Sequence, residues 1–109
     1  MISYEVTLQV EPALAPAVED HMRRSHIPAI VATACFRRIR FDRASPARFR
    51  TSYQADSQED LDRYLRDHAP RLRAELHTEF PTGVTLTRET WTQLESWERD
   101  HGPGSRDRT

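Results

Sequence analysis

Ile2, Tyr4, Val6, Leu8 and Val10 alternate with Ser3, Glu5, Thr7 and Gln9 at the start of the chain. A period of two held over this length places every second side chain on one face of an extended segment, the pattern of a β-strand with one buried and one polar side. Such a strand commits the rest of the chain to supplying hydrogen-bonding neighbours and an apolar cover over one face. With 109 residues there is room for one core of that kind and not for two.

The cover and the neighbours are legible in order. Pro12 suits the first turn of a helix, and Leu14, Val18, His21, Met22 and Ser25 recur at helical spacing, so a helix is expected to about Ser25. Pro28 disfavours helical geometry at Ile27, which predicts a bend at His26-Ile27-Pro28 before a second helical piece anchored by Ile30 and Val31. A second strand is expected from about Ala34 to Phe41, a hairpin loop from Asp42 to Arg48, and a third strand over Phe49, Thr51, Tyr53 and Ala55. Ser57 is a good N-cap, with Glu59 and Asp60 placing negative charge in the first turn. Leu61, Tyr64, Leu65, His68, Leu72 and Leu76 form the stripe of that helix, which Pro70 must kink or restart. After the turn Pro81-Thr82-Gly83, a fourth strand runs from Val84 to about Trp91.

This βαββαβ order predicts an α+β, ferredoxin-like sandwich: a four-stranded antiparallel sheet with its helices on one face. The other face then carries Ser3, Glu5, Thr7, Gln9, Arg50, Ser52, Gln54, Thr85 and Thr87, which suits solvent or a wet sheet-on-sheet interface. One domain over residues 1–97 is expected, with an extension from about Trp91 and a disordered tail over 98–109. Trp91, Leu94 and Trp97 need apolar cover from their own domain or a partner.

No run approaches the roughly 18 apolar residues of a membrane helix, and no signal peptide is visible. The single cysteine, Cys35, cannot close an internal disulfide, which makes the cytoplasm the default compartment. Formal net charge is -1, giving no global field for nucleic acid or an anionic membrane. All 16 basic residues are arginine and asparagine is absent, a bias expected of a GC-rich bacterial genome.

HIPAIVATACF at His26 to Phe36, SQEDLDRYLRDHAPRLRAE at Ser57 to Glu75 and the opening ISYEVTLQV together resemble bacterial domain-of-unknown-function family 4286. The resemblance covers Met1 to about Trp91. It implies a ferredoxin-like protomer that pairs as a dimeric α/β barrel, an architecture shared with cofactor-independent monooxygenases, cyclases, isomerases and binding proteins, and it implies no known activity. Two positions depart from the family pattern: Ala34 stands where a glycine before the cysteine is usual, and Leu76 where a histidine commonly follows the acidic residue.

His68 on the second helical stripe and His21 on the first point toward a space between helices and sheet, the usual ligand position in this architecture. His68 is the candidate general base, with His21, His26, Tyr4, Tyr53 and Tyr64 as candidate ligand-binding groups. Helix-capping histidines and ordinary core tyrosines account for the same positions. Arg38, Arg40 and Arg50 belong to an arginine-rich hairpin that can take an anion, or serve as a charged edge that resists aggregation. No histidine pair has metal-ligand spacing beside a carboxylate, so no metal site is expected, and Cys35 reads as core. The third strand lacks the glycine-aromatic signature of RNA-recognition domains, which argues against nucleic acid. The functional expectation is a cytoplasmic homodimer that binds, and can transform, a small organic molecule without a cofactor; the alternative is a non-catalytic dimeric interaction or scaffold protein.

Overall fold

A computed structural model of the chain describes residues 1–99. Four strands, β1 (Ile2–Val10), β2 (Arg38–Ser45), β3 (Arg48–Ala55) and β4 (Val84–Thr92), form one antiparallel sheet in the order β2-β3-β1-β4. Two helical runs cover one face. The first joins a 3₁₀ turn (Pro12–Leu14), α1 (Ala15–His21), a π-helical turn (Met22–His26) and α2 (Ile27–Val31); the second joins α3 (Gln58–Asp67) to α4 (Ala69–Glu79). This is the α+β ferredoxin-like arrangement that the element order implied. The proposed boundary of a tail over 98–109 falls largely outside the described residues. Among the described residues no helix is long and apolar enough to cross a membrane.

Parity along β1 decides what the helices cover. Tyr4 and Leu8 are buried beneath them together with Phe49 and Tyr53 of β3, and Val18, Met22, Ile30, Leu61, Leu72 and Leu76 close the layer from above. Each such fully buried apolar side chain contributes roughly 1.5–3 kcal/mol of transfer free energy. The core divides into two clusters, one around Tyr4, Tyr53 and Tyr64 and one around Leu8, Met22 and Phe49, with half-buried Val6 touching both.

The opposite sheet face stays uncovered, and the ladder register arranges it in cross-strand rows. Trp91, Ser3, Gln54 and Arg38 form one row; Glu89, Glu5, Ser52 and Arg40 form the next; Thr87, Thr7, Arg50 and Asp42 a third. Ser52 is buried even here, its hydroxyl donating to Glu5 Oε2 at 3.3 Å.

Three local expectations need correction. The first helical run does not bend at Ile27: that residue is helical (φ -65°, ψ -44°), and its N–H donates to the Met22 carbonyl five residues back. A proline in a helix clashes with the carbonyl four residues earlier, and the widened turn just before Pro28 moves that carbonyl aside without breaking the run. The second strand begins at Arg38, not Ala34, because β3 ends at Ala55 and offers nothing for Cys35 and Phe36 to pair with. The hairpin loop is shorter than Asp42 to Arg48: β2 continues to Ser45 through a bulge between Arg43 and Ser45, leaving Pro46 and Ala47 between the strands.

Where α2 ends, Ala34 adopts φ 59°, the left-handed conformation that normally falls to glycine after a helix. Ser57 caps α3 as expected, accepting from the Asp60 N–H at 3.2 Å.

Candidate functional site

At the seam between the two core clusters the layers do not close. A cavity of about 30 Å³ lies between β1, β3 and β4 below and the helices above, with Tyr4, Tyr53, Tyr64 and His26 supplying its polar groups and Leu8, Met22, Leu72 and Leu76 much of its apolar wall. A second space of about 60 Å³ continues it between α4 and β4, sharing Arg73, Leu76 and Leu86. The opening is on that side because β4 is poorly roofed: Val84 and Leu86 are half-buried, while Arg88 and Thr90 on the same face are exposed. Among the cavity's lining residues only Arg73, from α4, and Arg88, from β4, are exposed, so these two guanidiniums flank the mouth.

The three tyrosine rings sit with centroids 6.0 to 6.4 Å apart. Burial pushes the Tyr53 hydroxyl far above the ordinary phenol range and takes Tyr64 to about 12, with the neighbouring phenols adding to both shifts. Tyr53 and Tyr64 are therefore neutral at physiological pH. Burial, followed by the nearby His21, holds His26 down at about 4, so its imidazole is also neutral. A base that weak accepts a hydrogen bond but retains a proton poorly, which favours recognition over proton abstraction at this group. Tyr4 accepts from Arg73 at 3.4 Å, whereas the Tyr64 hydroxyl and the His26 ring have no side-chain hydrogen-bond partner among the described residues.

Four of the sequence-derived ligand-binding candidates, Tyr4, Tyr53, Tyr64 and His26, thus meet in one place. His68 does not join them. It sits between α3 and α4 with non-helical backbone (φ -125°, ψ -40°), its ring stacked on the outer side of Tyr64 at 6.3 Å and its Nδ1 3.4 Å from the Arg71 guanidinium. The restart of the helix at Ala69, ahead of Pro70, takes His68 off the inward stripe to which the uninterrupted spacing assigned it. His21 packs edge-on against Phe80 at 5.6 Å and lines a shallow surface groove instead.

Cys35 is buried, its thiol donating to the Thr33 carbonyl at 3.6 Å. Arg38, Arg40 and Arg50 share the uncovered sheet face, where Asp42 already accepts from Arg50 at 3.0 Å and raises its pKa. No group of three or more His, Cys, Asp or Glu close enough to hold a metal ion occurs among the described residues.

Sequence reasoning overlooked Arg73 and Arg88. For Arg88 a signal existed: it falls on the same parity of β4 as Val84 and Leu86, so the alternation itself puts a guanidinium on the helix-facing side. Arg73 follows Leu72 on α4 and carries no comparable mark.

Residues 1–101 match the family described as Domain of unknown function (DUF4286). The chain belongs to that family. No curated protein matches this DUF4286 chain. Among solved structures it resembles a protein of unknown function from Nitrosomonas europaea, at 16% identity and a TM-score of 0.72, covering 92% of this chain and 95% of that one. It also resembles an ethyl tert-butyl ether (EthD) family protein from Bacillus halodurans, at 17% identity and a TM-score of 0.64 over 86% of this chain and 100% of that one. A candidate antibiotic biosynthesis monooxygenase from Deinococcus radiodurans is similar at 15% identity, with a TM-score of 0.61, covering 93% and 100% of the two chains. At these identities the likeness establishes the shared ferredoxin-like fold and nothing finer.

Proposed function

We propose that this DUF4286 protein binds a small organic molecule in the cavity beneath its helices and does so as a homodimer. The observation that carries the binding reading is the convergence of three phenols and a neutral imidazole on one cavity whose buried wall is, apart from Thr51, otherwise apolar, with Tyr64 and His26 lacking side-chain hydrogen-bond partners among the described residues. Buried polar groups normally find hydrogen bonds, and a ligand that completes them gains both affinity and orientation. Turnover of the bound molecule, of the monooxygenase, cyclase or isomerase kind, would fall to these same groups; the proposal does not draw on His68.

The dimer reading rests on the uncovered sheet face. Glu5 and Glu89 lie toward the β4 edge and Arg38 and Arg40 toward the β2 edge. A twofold axis through the face would set the acidic half of one copy against the basic half of the other, as an isologous interface requires.

The test is native mass spectrometry of freshly purified protein, followed by thermal-shift screening of small acids, alcohols and phenols against the wild type and Tyr64→Phe. A dimer that retains or is stabilised by a ligand, with the response weakened in Tyr64→Phe at unchanged far-ultraviolet circular dichroism, supports the proposal. A dimer unaffected by every compound would remove the binding half.

The second reading, a non-catalytic interaction protein, is favoured by one observation: Trp91 at the end of β4 is 53% exposed, and Leu94 and Trp97 on the arm that follows are 94% and 81% exposed. If the arm makes the association, truncation after Thr92 will yield a monomer whose cavity is untouched.

A further inference from the structure

We infer that the ligand class is a short-chain monocarboxylate, its apolar body of a few carbons inside and its carboxylate held between Arg73 and Arg88. This rests on the cavity-binding reading and adds to it the chemistry of the mouth.

Two arginines from different elements, one on α4 and one on β4, are the only exposed residues of the lining. Among the described residues neither has a carboxylate within 4.0 Å, and the one side-chain hydrogen bond that either makes is the long contact from Arg73 to the Tyr4 hydroxyl. No aspartate or glutamate lines the cavity or its continuation between α4 and β4. A cationic ligand would therefore meet like charge at the entrance and no counter-ion within. A neutral ligand would make no use of either guanidinium. A carboxylate matches the planar fork of a guanidinium, and two such groups in one lining offer donors to both of its oxygens.

The space sets the size. About 30 Å³ inside, continued by about 60 Å³ along Leu76 and Leu86, holds a few water molecules or a short chain and excludes a nucleotide or a fused-ring body. Bare inorganic phosphate satisfies the arginines but leaves the apolar wall empty, so the composition of the wall selects an anion with a hydrocarbon part.

The experiment uses the full-length chain labelled with ¹⁵N and follows amide shifts during titration with butyrate, 1-butanol and inorganic phosphate at constant ionic strength. Saturable shifts at Tyr4, Tyr64 and Arg88 with butyrate are expected, with 1-butanol and phosphate each weaker by roughly tenfold or more. The Arg73→Gln/Arg88→Gln double variant, altered only at exposed positions, should lose butyrate affinity by at least roughly tenfold while keeping its weak response to 1-butanol. Equal binding of butyrate and 1-butanol at the cavity would overturn the anion assignment and leave the cavity reading standing. Stronger binding of phosphate, or butyrate shifts confined to the arginines of the β2–β3 hairpin, would likewise overturn it. No saturable shift with any probe would overturn this assignment and the binding reading together.

Discussion

Replacing Ala34 by glycine should make this protein more stable, although it removes a methyl group and adds none. Ala34 holds φ 59° where α2 ends. An L-residue in the left-handed region pays roughly 1–2 kcal/mol that glycine does not. Glycine in turn frees the unfolded chain, a loss of roughly 0.4–1 kcal/mol. The Ala34 side chain is exposed and no buried contact is lost with it, so these two quantities decide the sign. The net gain is about 0.5–1 kcal/mol, which for a domain near this size raises the Tm by roughly 2–8 °C. With a urea m-value of about 1 kcal/mol/M, the midpoint should move up by roughly 0.5–1 M at constant m. Circular dichroism at fixed protein concentration measures both transitions, and Ala32→Gly supplies the control. Ala32 lies two residues away at φ -65°, where glycine has no strain to relieve and should cost about 0.5–1 kcal/mol. If Ala34→Gly loses stability as Ala32→Gly does, the strain argument is refuted. The glycine that the family resemblance places at position 34 is what this geometry asks for.

His26 makes stability depend on pH. Its folded pKa of about 4 lies below the ordinary histidine value, so between pH 6.5 and 4 the unfolded chain takes up a proton that the folded chain refuses. Its contribution is complete above pH 6.5 and is lost as the pH falls toward 4, up to ~3 kcal/mol in all. Urea midpoints across this range should fall less steeply for His26→Gln than for the wild type, and parallel slopes would contradict the shift. Gly83 turns the chain into β4 at φ 86°, and a Cβ there would stand 2.5 Å from Leu14 Cδ1. Gly83→Ala should therefore lose at least roughly 1–2 kcal/mol in the same assay, and a neutral result would mean that the turn relaxes freely.

The strands at the two ends of the chain were readable because their alternation is long and their polar faces stay uncovered, so nothing competes with the period of two. The middle strand was harder. Cys35, Ile39 and Phe41 keep the right parity, but parity cannot say where a partner ends, and β3 stops before Cys35 and Phe36 can pair. The site divided similarly. Tyr4 and Tyr53 were placed correctly by strand parity, which survives any detail of the helices. His26, a candidate ligand-binding group, lines the cavity while His68, the candidate base, does not, and each position depends on a helical irregularity that helical spacing alone does not encode: a widened turn before Pro28 for one, a restart at Ala69 for the other.

That widened turn has a rotational effect. In a regular α-helix, Met22, His26 and Ile30 would drift by about 40° at each step of four residues, so Ile30 would face some 80° away from Met22. One turn with extra circumference takes back much of that precession, so the His26 imidazole stays beneath the helix beside Met22, lining the same cavity. Deleting Ser25 would tighten the coil to its ordinary pitch and swing position 26 toward the flank. The orientation of the pocket's nitrogen heterocycle is thus set by one surplus residue of backbone, required by a proline two positions downstream.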